Sequence, residues 1–244
     1  LGVAAGASAG ELEPAPVLAG RTVVVTAGGT REPIDPVRFL GNKSSGRQGL
    51  AVAAAAARAG ASVRVIAANI DESVMTALPS GVEVTRVGSA CEMREATMAQ
   101  VIGADALVMT AAVADFRPEA AQASKMKKDP TKTDAPTLRL VRNPDILSEV
   151  GHSDIRPALV VGFAAETGTD EEILANGADK AARKGADYIA LNRVGAGVGF
   201  GDVPNDIRLL DVGGQIVGRY IGSKDEVAAG LVARMADFLD NLER

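Results

Sequence analysis

Along the chain, short unbroken apolar runs alternate with segments of helical periodicity. Arg21–Ala27, Ser62–Ala67, Val82–Val87 and Asp105–Thr110 are read without period-2 faces, so they predict strands covered on both sides, as in a parallel sheet. Between them, an alanine-rich segment from about Gly46 to Ala59, stopped by Gly60, predicts a helix packed closely on that sheet. Ser89 caps a second helix running to about Ile102. Asn69–Gly81 reads as a polar connection. The alternation breaks over residues 112–136, long for a connection within a compact domain. It resumes with a strand at Thr137–Val141, then a short helix with Asn143 as cap and Pro144 in its first position. A strand at Ala158–Phe163, a helix at Asp170–Lys184 and a strand at Asp187–Leu191 follow. Ile207–Val212 and Gln215–Tyr220 flank Gly213-Gly214, a hairpin signal, so the last strands are expected to be antiparallel. Helix Lys224–Leu242 closes the chain with Val227, Leu231, Met235, Phe238 and Leu242 on one stripe. The expected fold is α/β: a Rossmann-like, doubly wound, mostly parallel sheet with a C-terminal antiparallel extension, built by residues 20–244. Residues 1–19, rich in Ala, Gly, Ser and Pro, read as a flexible linker.

Composition narrows the chemistry. Of 244 residues, 47% are apolar but only 3% aromatic, with no Trp, so the core is Ala, Val, Leu and Ile and offers little for stacking nucleic-acid bases. A net charge of −5 gives no global attraction for nucleic acid or an anionic membrane, so an anionic ligand must meet local positive charge. No apolar run approaches the roughly 20 residues of a membrane span, and residues 1–16 lack the pattern of a signal peptide. The lone Cys91, expected as a small buried apolar residue, has no internal disulfide partner, which points to a reducing cytoplasm. With His152 the sole histidine and expected to be solvated, neither a Ser-His-Asp nor a Cys-His apparatus is available. Amides, lysines and a metal must then carry catalysis, which suits phosphoryl or nucleotidyl transfer.

The candidate site follows the first strand. Gly28-Gly29-Thr30 and Ser44-Ser45-Gly46 are small-residue turns bracketing a polar loop with Arg31, Asp35, Arg38, Asn42 and Lys43, and a helix begins after the second turn. Backbone N–H groups and the positive end of a helix dipole in one place suit a phosphate. The dinucleotide fingerprint G-x-G-x-x-G is absent, and Gly195–Gly201 opens no helix, so it reads as a mobile loop. Tyr220-x-x-x-Lys224 has the spacing of short-chain reductases, but Tyr220 ends a strand instead of preceding Lys224 by one helical turn. Lys125-Met126-Lys127-Lys128 is either a solvated cluster or a loop closing over a polyphosphate. Lys180 and Lys184 share a helix face and repel unless an anion lies between them. Asp115 and Asp145 stand where ligands of open α/β sheets collect, and either could hold Mg²⁺.

Taken together, TAGGTREPIDPVRFLGNKSSGRQG (26–49), TAAVADFRP (110–118), SKMKK (124–128), RNPDIL (142–147), VGFAAET (161–167) and DKAARK (179–184) resemble the phosphopantothenate–cysteine ligases of coenzyme A biosynthesis, over residues 20–240. The resemblance implies a cytoplasmic homodimer that joins 4′-phosphopantothenate to L-cysteine. It implies CTP as co-substrate, Mg²⁺ or Mn²⁺ as cofactor and an acyl-cytidylate intermediate, with release of pyrophosphate and CMP. It further implies a covalently linked flavin decarboxylase half, with no flavin bound in this one and no nucleic-acid or membrane partner. By resemblance, Asn42 and Lys125 are catalytic, Lys125 reaching across the dimer, and Arg38 and Asn42 bind substrate. Gly28, Gly29, Ser45, Gly46, Ala111, Asp115, Lys125, Asn143, Pro144, Asp145, Ile146, Phe163, Lys180 and Lys184 would bind CTP, with Asp115 as the metal ligand. A nicotinamide (NADP-dependent) reductase on the same sheet and a non-catalytic nucleotide-sensing domain are the alternatives.

Overall fold

The computed structural model describes residues 16–127, 135–166, 168–193 and 205–242. In chain order these form β1 (Thr22–Gly28), β2 (Arg31–Asp35), β3 (Arg38–Gly41), α1 (Arg47–Arg58), β4 (Ser62–Ala68), α2 (Glu72–Met75), β5 (Glu83–Val87), α3 (Ala90–Gln100) and β6 (Ala106–Met109). There follow β7 (Phe116–Pro118), β8 (Leu140–Arg142), α4 (Ile146–Gly151), β9 (Leu159–Glu166), α5 (Asp170–Lys184), β10 (Tyr188–Arg193), β11 (Asn205–Asp211), β12 (Ile216–Gly222) and α6 (Lys224–Leu242).

One sheet of eight strands runs β5-β4-β1-β6-β9-β10-β11-β12. It is parallel from β5 through β10, whereas β11 is antiparallel to both β10 and β12. This is the doubly wound order with the expected antiparallel extension. Chain direction across the sheet reverses between β1 and β6, and that switch point leaves a crevice beyond the strands' C-terminal ends. β1 and β6 are buried because helices cover both faces. The alanines of α1 and the stripe of α6 form one layer with Val23, Val25 and Leu209, while Met93, Ile146, Ile173 and Ala181 from α3, α4 and α5 close the other with Val24, Leu107 and Ile189.

The structure corrects several expectations. The polar loop after β1 is a β2–β3 hairpin, in which Glu32 and Asp35 point inward and are buried because Ala90 N–H and Arg38 satisfy them. The connection 69–81 contains the single turn α2, capped by Asp71. β5 is an edge strand and mostly exposed, with Val84 among its exposed residues, so it is not the strand covered on both sides that the apolar run predicted. The strand expected at 137–141 lies at Leu140–Arg142, outside the main sheet, paired with β7. Asn143 does not cap α4. Asp145 does, accepting from Ser148 N–H, because Pro144 holds Asn143 away from the helix and the Asn143 side chain bridges Ala114 O and Arg117. In α6 Leu239 is buried and Leu242 is exposed. Cys91 is only half-buried, on the first turn of α3 beside the β2–β3 hairpin, whereas His152 is exposed as expected. Leu18, placed in the linker by composition, is buried against the end of α1, its N–H donating to Ala59 O. Gly195–Gly201 and Lys128 lie outside the described residues. No helix among the described residues is long and apolar enough to cross a membrane.

Candidate active site

Two adjoining cavities open at the switch point. The first, ≈ 370 Å³, runs from Asn42–Gly49 across Thr110–Val113 to Asn192, Asn205 and Lys224. The second, ≈ 530 Å³, runs from Met109 and Phe116 along Arg142–Leu147 to Arg183 and Lys184. Ala111, Val113, Asp115, Phe163 and Lys180 line both, so the two halves share one wall.

Local chemistry explains the first cavity. α1 starts from Gly46, whose φ of 78° suits glycine, and a Cβ there would sit 2.4 Å from Ile70 Cδ1. No side chain caps the helix, so its first-turn N–H groups face the cavity without intrahelical partners. Ser45 and Gly46 therefore line this cavity at the start of α1. The Gly28-Gly29-Thr30 turn is different. Gly29 N–H donates to Ala68 O, Thr30 N–H to Ala112 O, and Ala112 N–H returns to Gly28 O. Thr30 Oγ1 also accepts from Ala114 N–H at 2.9 Å. Gly28 (φ 88°) is required because a Cβ would lie 2.0 Å from Ala68 O. This turn thus anchors the Ala111–Ala114 wall, and neither Gly28 nor Gly29 lines the cleft.

Asn42 stands at the mouth of the first cavity, its Nδ2 donating to Val113 O at 3.2 Å, which aligns the amide along the shared wall. Asp115 is exposed on that wall, and its carboxylate has no hydrogen bond or ion pair among the described residues. The second cavity collects Asn143, Pro144, Asp145, Ile146, Phe163, Lys180 and Lys184. The lysine pair does not need an anion to relieve its repulsion. Lys180 Nζ donates to Glu166 Oε1 at 2.7 Å, and Lys184 pairs with Asp145, so each charge has its own carboxylate. No group of three or more His, Cys, Asp or Glu that could hold a metal ion occurs among the described residues.

Arg38 and Lys125 lie elsewhere. Arg38 pairs with Asp35 and donates to Met126 O at 3.1 Å, while Met126 N–H donates to Asp35 Oδ2 at 3.1 Å. Residues 122–126 are thereby stitched to the hairpin, and the adjacent Lys125 is exposed outside both cavities. The Arg38 guanidinium, aided by the amides of Val37, Met126 and Arg38, holds the Asp35 carboxyl far below the usual carboxylate range against the opposing effect of burial. Tyr220 lies against Gly230 of α6, does not line the cavities, and burial pushes its hydroxyl pKa up. It is no acid for Lys224.

The family described as DNA/pantothenate metabolism flavoprotein C-terminal domain matches residues 18–239. The chain belongs to this family. The coenzyme A biosynthesis bifunctional protein CoaBC of Mycobacterium tuberculosis (strain H37Rv) is 45% identical over 228 residues, 91% of this chain and 53% of that protein. The chain thus spans about half the length of the curated relatives it matches. Among solved structures, the C-terminal domain of a CoaBC protein has a TM-score of 0.73 and 29% identity, covering 93% of this chain and 100% of that one. A Cab2 mutant in complex with phosphopantothenate-cysteine superposes with a TM-score of 0.68 over 92% of this chain and 89% of that one; at 15% identity it shows the fold alone.

Sequence reading missed Glu166, Gln48, Asn192 and Asn205. Glu166 ends an apolar strand, a signal of a ligand-facing position in a parallel sheet. The other three give no local signal, because only packing brings α1, β10 and β11 to one cavity.

Proposed function

We propose that this chain is the ligase half of a coenzyme A biosynthesis protein, joining 4′-phosphopantothenate to L-cysteine with CTP and releasing pyrophosphate and CMP. The observation that carries this reading is the pair of cavities sharing one wall: one ends on an uncapped helix N-terminus, the other on a lysine helix and the Asn143–Ile146 segment. Such a site holds two anionic reactants edge to edge, which is what formation of a mixed anhydride requires. The substrate carboxylate attacks the α-phosphorus and pyrophosphate leaves. The cysteine amine then attacks the acyl carbon and CMP leaves.

In this reading the second cavity takes the nucleotide, with the backbone of Asn143–Ile146 reading the base edge beside Phe163. Lys180, held by Glu166 at the shared wall, balances charge developing on the phosphates. Asn42, already anchored to Val113 O, has a second amide hydrogen for the acyl oxygen and no nucleophilic electron pair to compete with the amine. The donor set fits Mg²⁺ or Mn²⁺ carried on a triphosphate, because Asp115 is an unpaired carboxylate on the wall and such ions take one or two carboxylates plus phosphate oxygens. When bound, the ion would neutralise phosphate charge.

A homodimer completes the reading. Val37, Phe39 and Leu40 on the β2–β3 ribbon, and Phe116, Leu138 and Leu140 on and beside β7–β8, are exposed apolar side chains carried by ribbons that touch through β2 and β7. A second copy on this surface would cover them. Arg38 and Lys125, absent from the two cavities at their own chain's switch point, stand on the same ribbon system, where they would enter a partner's cleft. The full-length protein would carry the flavin decarboxylase half ahead of residues 1–19.

The test is direct. Protein mixed with CTP, Mg²⁺, 4′-phosphopantothenate and cysteine should release pyrophosphate and CMP in equal amounts, and no release of either overturns the assignment. NADPH binding with no CTP binding would select the reductase instead.

A further inference from the structure

Deep in the first cavity lies a hydrogen-bond chain with one end open. Gln48 of α1 donates through Nε2 to Lys224 O at 3.4 Å, and its Oε1 accepts from Asn205 Nδ2 at 2.7 Å. The direction of this chain is forced: Lys224 O can only accept, so Gln48 presents its oxygen to Asn205, and Asn205 must present its amide nitrogen to Gln48. Asn205 Oδ1 is consequently left outside the chain. Asn205 is only 2% exposed, yet among the described residues its Oδ1 has no partner, and neither has the buried Oδ1 of Asn192 on the neighbouring strand β10. Buried side-chain oxygens without donors are rare in folded proteins, because each forgoes its hydrogen bonds to water. Both residues line the same cavity as Asn42 and the α1 N-terminus.

We infer that Asn205 and Asn192 form an acceptor subsite for uncharged O–H and N–H groups of the ligand, with Gln48 as the positioning residue that orients Asn205. The inference rests on the proposed function and deepens it: the groups accepted are the hydroxyl and amide N–H of the pantothenoyl chain, not the ammonium of cysteine. The lining decides between them. The uncapped N-terminus of α1, the positive end of its dipole, opens into this cavity beside Lys43, and Asp115 is the only carboxylate lining it among the described residues, so an ammonium is disfavoured there. A neutral chain between two anionic ends suits it. The carboxylate end would lie toward Asn42, and the donors of the chain would satisfy the two oxygens.

Steady-state kinetics on Asn205→Ala tests this. KM for 4′-phosphopantothenate should rise about tenfold, the loss of roughly one well-made buried hydrogen bond. KM for cysteine and the rise in melting temperature on adding CTP should stay as in the parent. An analogue whose secondary hydroxyl is replaced by hydrogen should show a much smaller difference between the two proteins. Gln48→Met, which frees Asn205 without removing it, should give a smaller rise in the same KM, and it carries the test if Asn205→Ala fails to fold. A parent enzyme that turns over while both variants keep KM for phosphopantothenate within twofold overturns the inference, as does a rise confined to cysteine. A parent that binds CTP but makes no product overturns the proposed reaction; calorimetry of 4′-phosphopantothenate on parent and variant then still decides the subsite, equal affinities overturning it.

Discussion

At the residue scale the cleft divides its labour between groups that hold the wall and groups that face the ligand. Thr30 and Gly28 shape the Ala111–Ala114 wall without entering the cavities, whereas Asn42, Asp115 and Lys180 line the first cavity. Asn42→Asp should let pyrophosphate release proceed while product formation falls by at least about a hundredfold, since a carboxylate cannot donate to the developing oxyanion. Unchanged amide formation, followed by product chromatography, would remove Asn42 from this role. Lys180→Met removes a charge-assisted bond of about 1.5–3 kcal/mol, so KM for CTP should rise roughly tenfold to hundredfold. Lys184→Met should cost less, because Lys184 lines only the second cavity and Asp145 already pairs with it. The residue types of this site were legible in the sequence: Asn42, Ser45, Asp115 and Lys180 all reach the cleft. The partnership of Lys180 with Glu166 was not, since the two meet only when α5 packs beside the end of β9.

At the element scale the two antiparallel ribbons carry the surface proposed to join two copies of the chain. Sequence reading took residues 31–41 for part of a polar loop, because Arg31, Asp35 and Arg38 stand there between two small-residue turns. The hairpin forms nonetheless, because the Asp35 carboxylate takes the N–H groups of Val37 and Arg38 and the Arg38 guanidinium, closing the turn from within. Phe39→Asp puts a charge in the apolar surface proposed to join two copies. It should shift the protein from dimer to monomer in light scattering and lower kcat, while leaving the sheet's circular dichroism unchanged. Lys125→Gln should lower activity with dimerisation and fold intact; parent kinetics would return Lys125 to the solvated-cluster reading. A mixture of Asn42→Asp and Lys125→Gln proteins should regain activity above either alone if each lysine serves the other chain's cleft.

At the scale of the whole molecule, acid should unfold the protein through its paired carboxylates. Asp35 by Arg38, Glu149 by Arg94, and Asp71, Glu172 and Glu226 by helix-start hydroxyl and amide donors are all held below their ordinary values. A depressed folded pKa means the unfolded chain takes up protons first. The stability these groups add is therefore fully present above about pH 5 and is lost as pH falls through about 4 and below. Urea unfolding should give a constant midpoint from pH 7 to 5 and a falling one below 4. Asp35→Asn should flatten that acid limb.

The sequence alone determined the sheet and its cover. Unbroken apolar runs at β1, β6 and β9 can be satisfied only by burial on both faces, and the helical stripes of α1 and α6 supply one of those faces. Local chemistry likewise determined the α1 start at Gly46 and the caps at Ser89 and Thr169, because each depends on neighbours within a few residues. Only the tertiary structure decided which polar groups meet. It turned the first glycine turn from a phosphate cradle into the anchor of a wall, gave Lys180 and Lys184 of α5 each its own carboxylate, and set Asn192 and Asn205 in a cavity walled by α1, their side-chain oxygens without partners among the described residues. The physical reason is range. Burial and capping are written in runs and short spacings, whereas a hydrogen bond between Gln48 and Asn205 spans 157 positions and exists only once the sheet has brought its strands together.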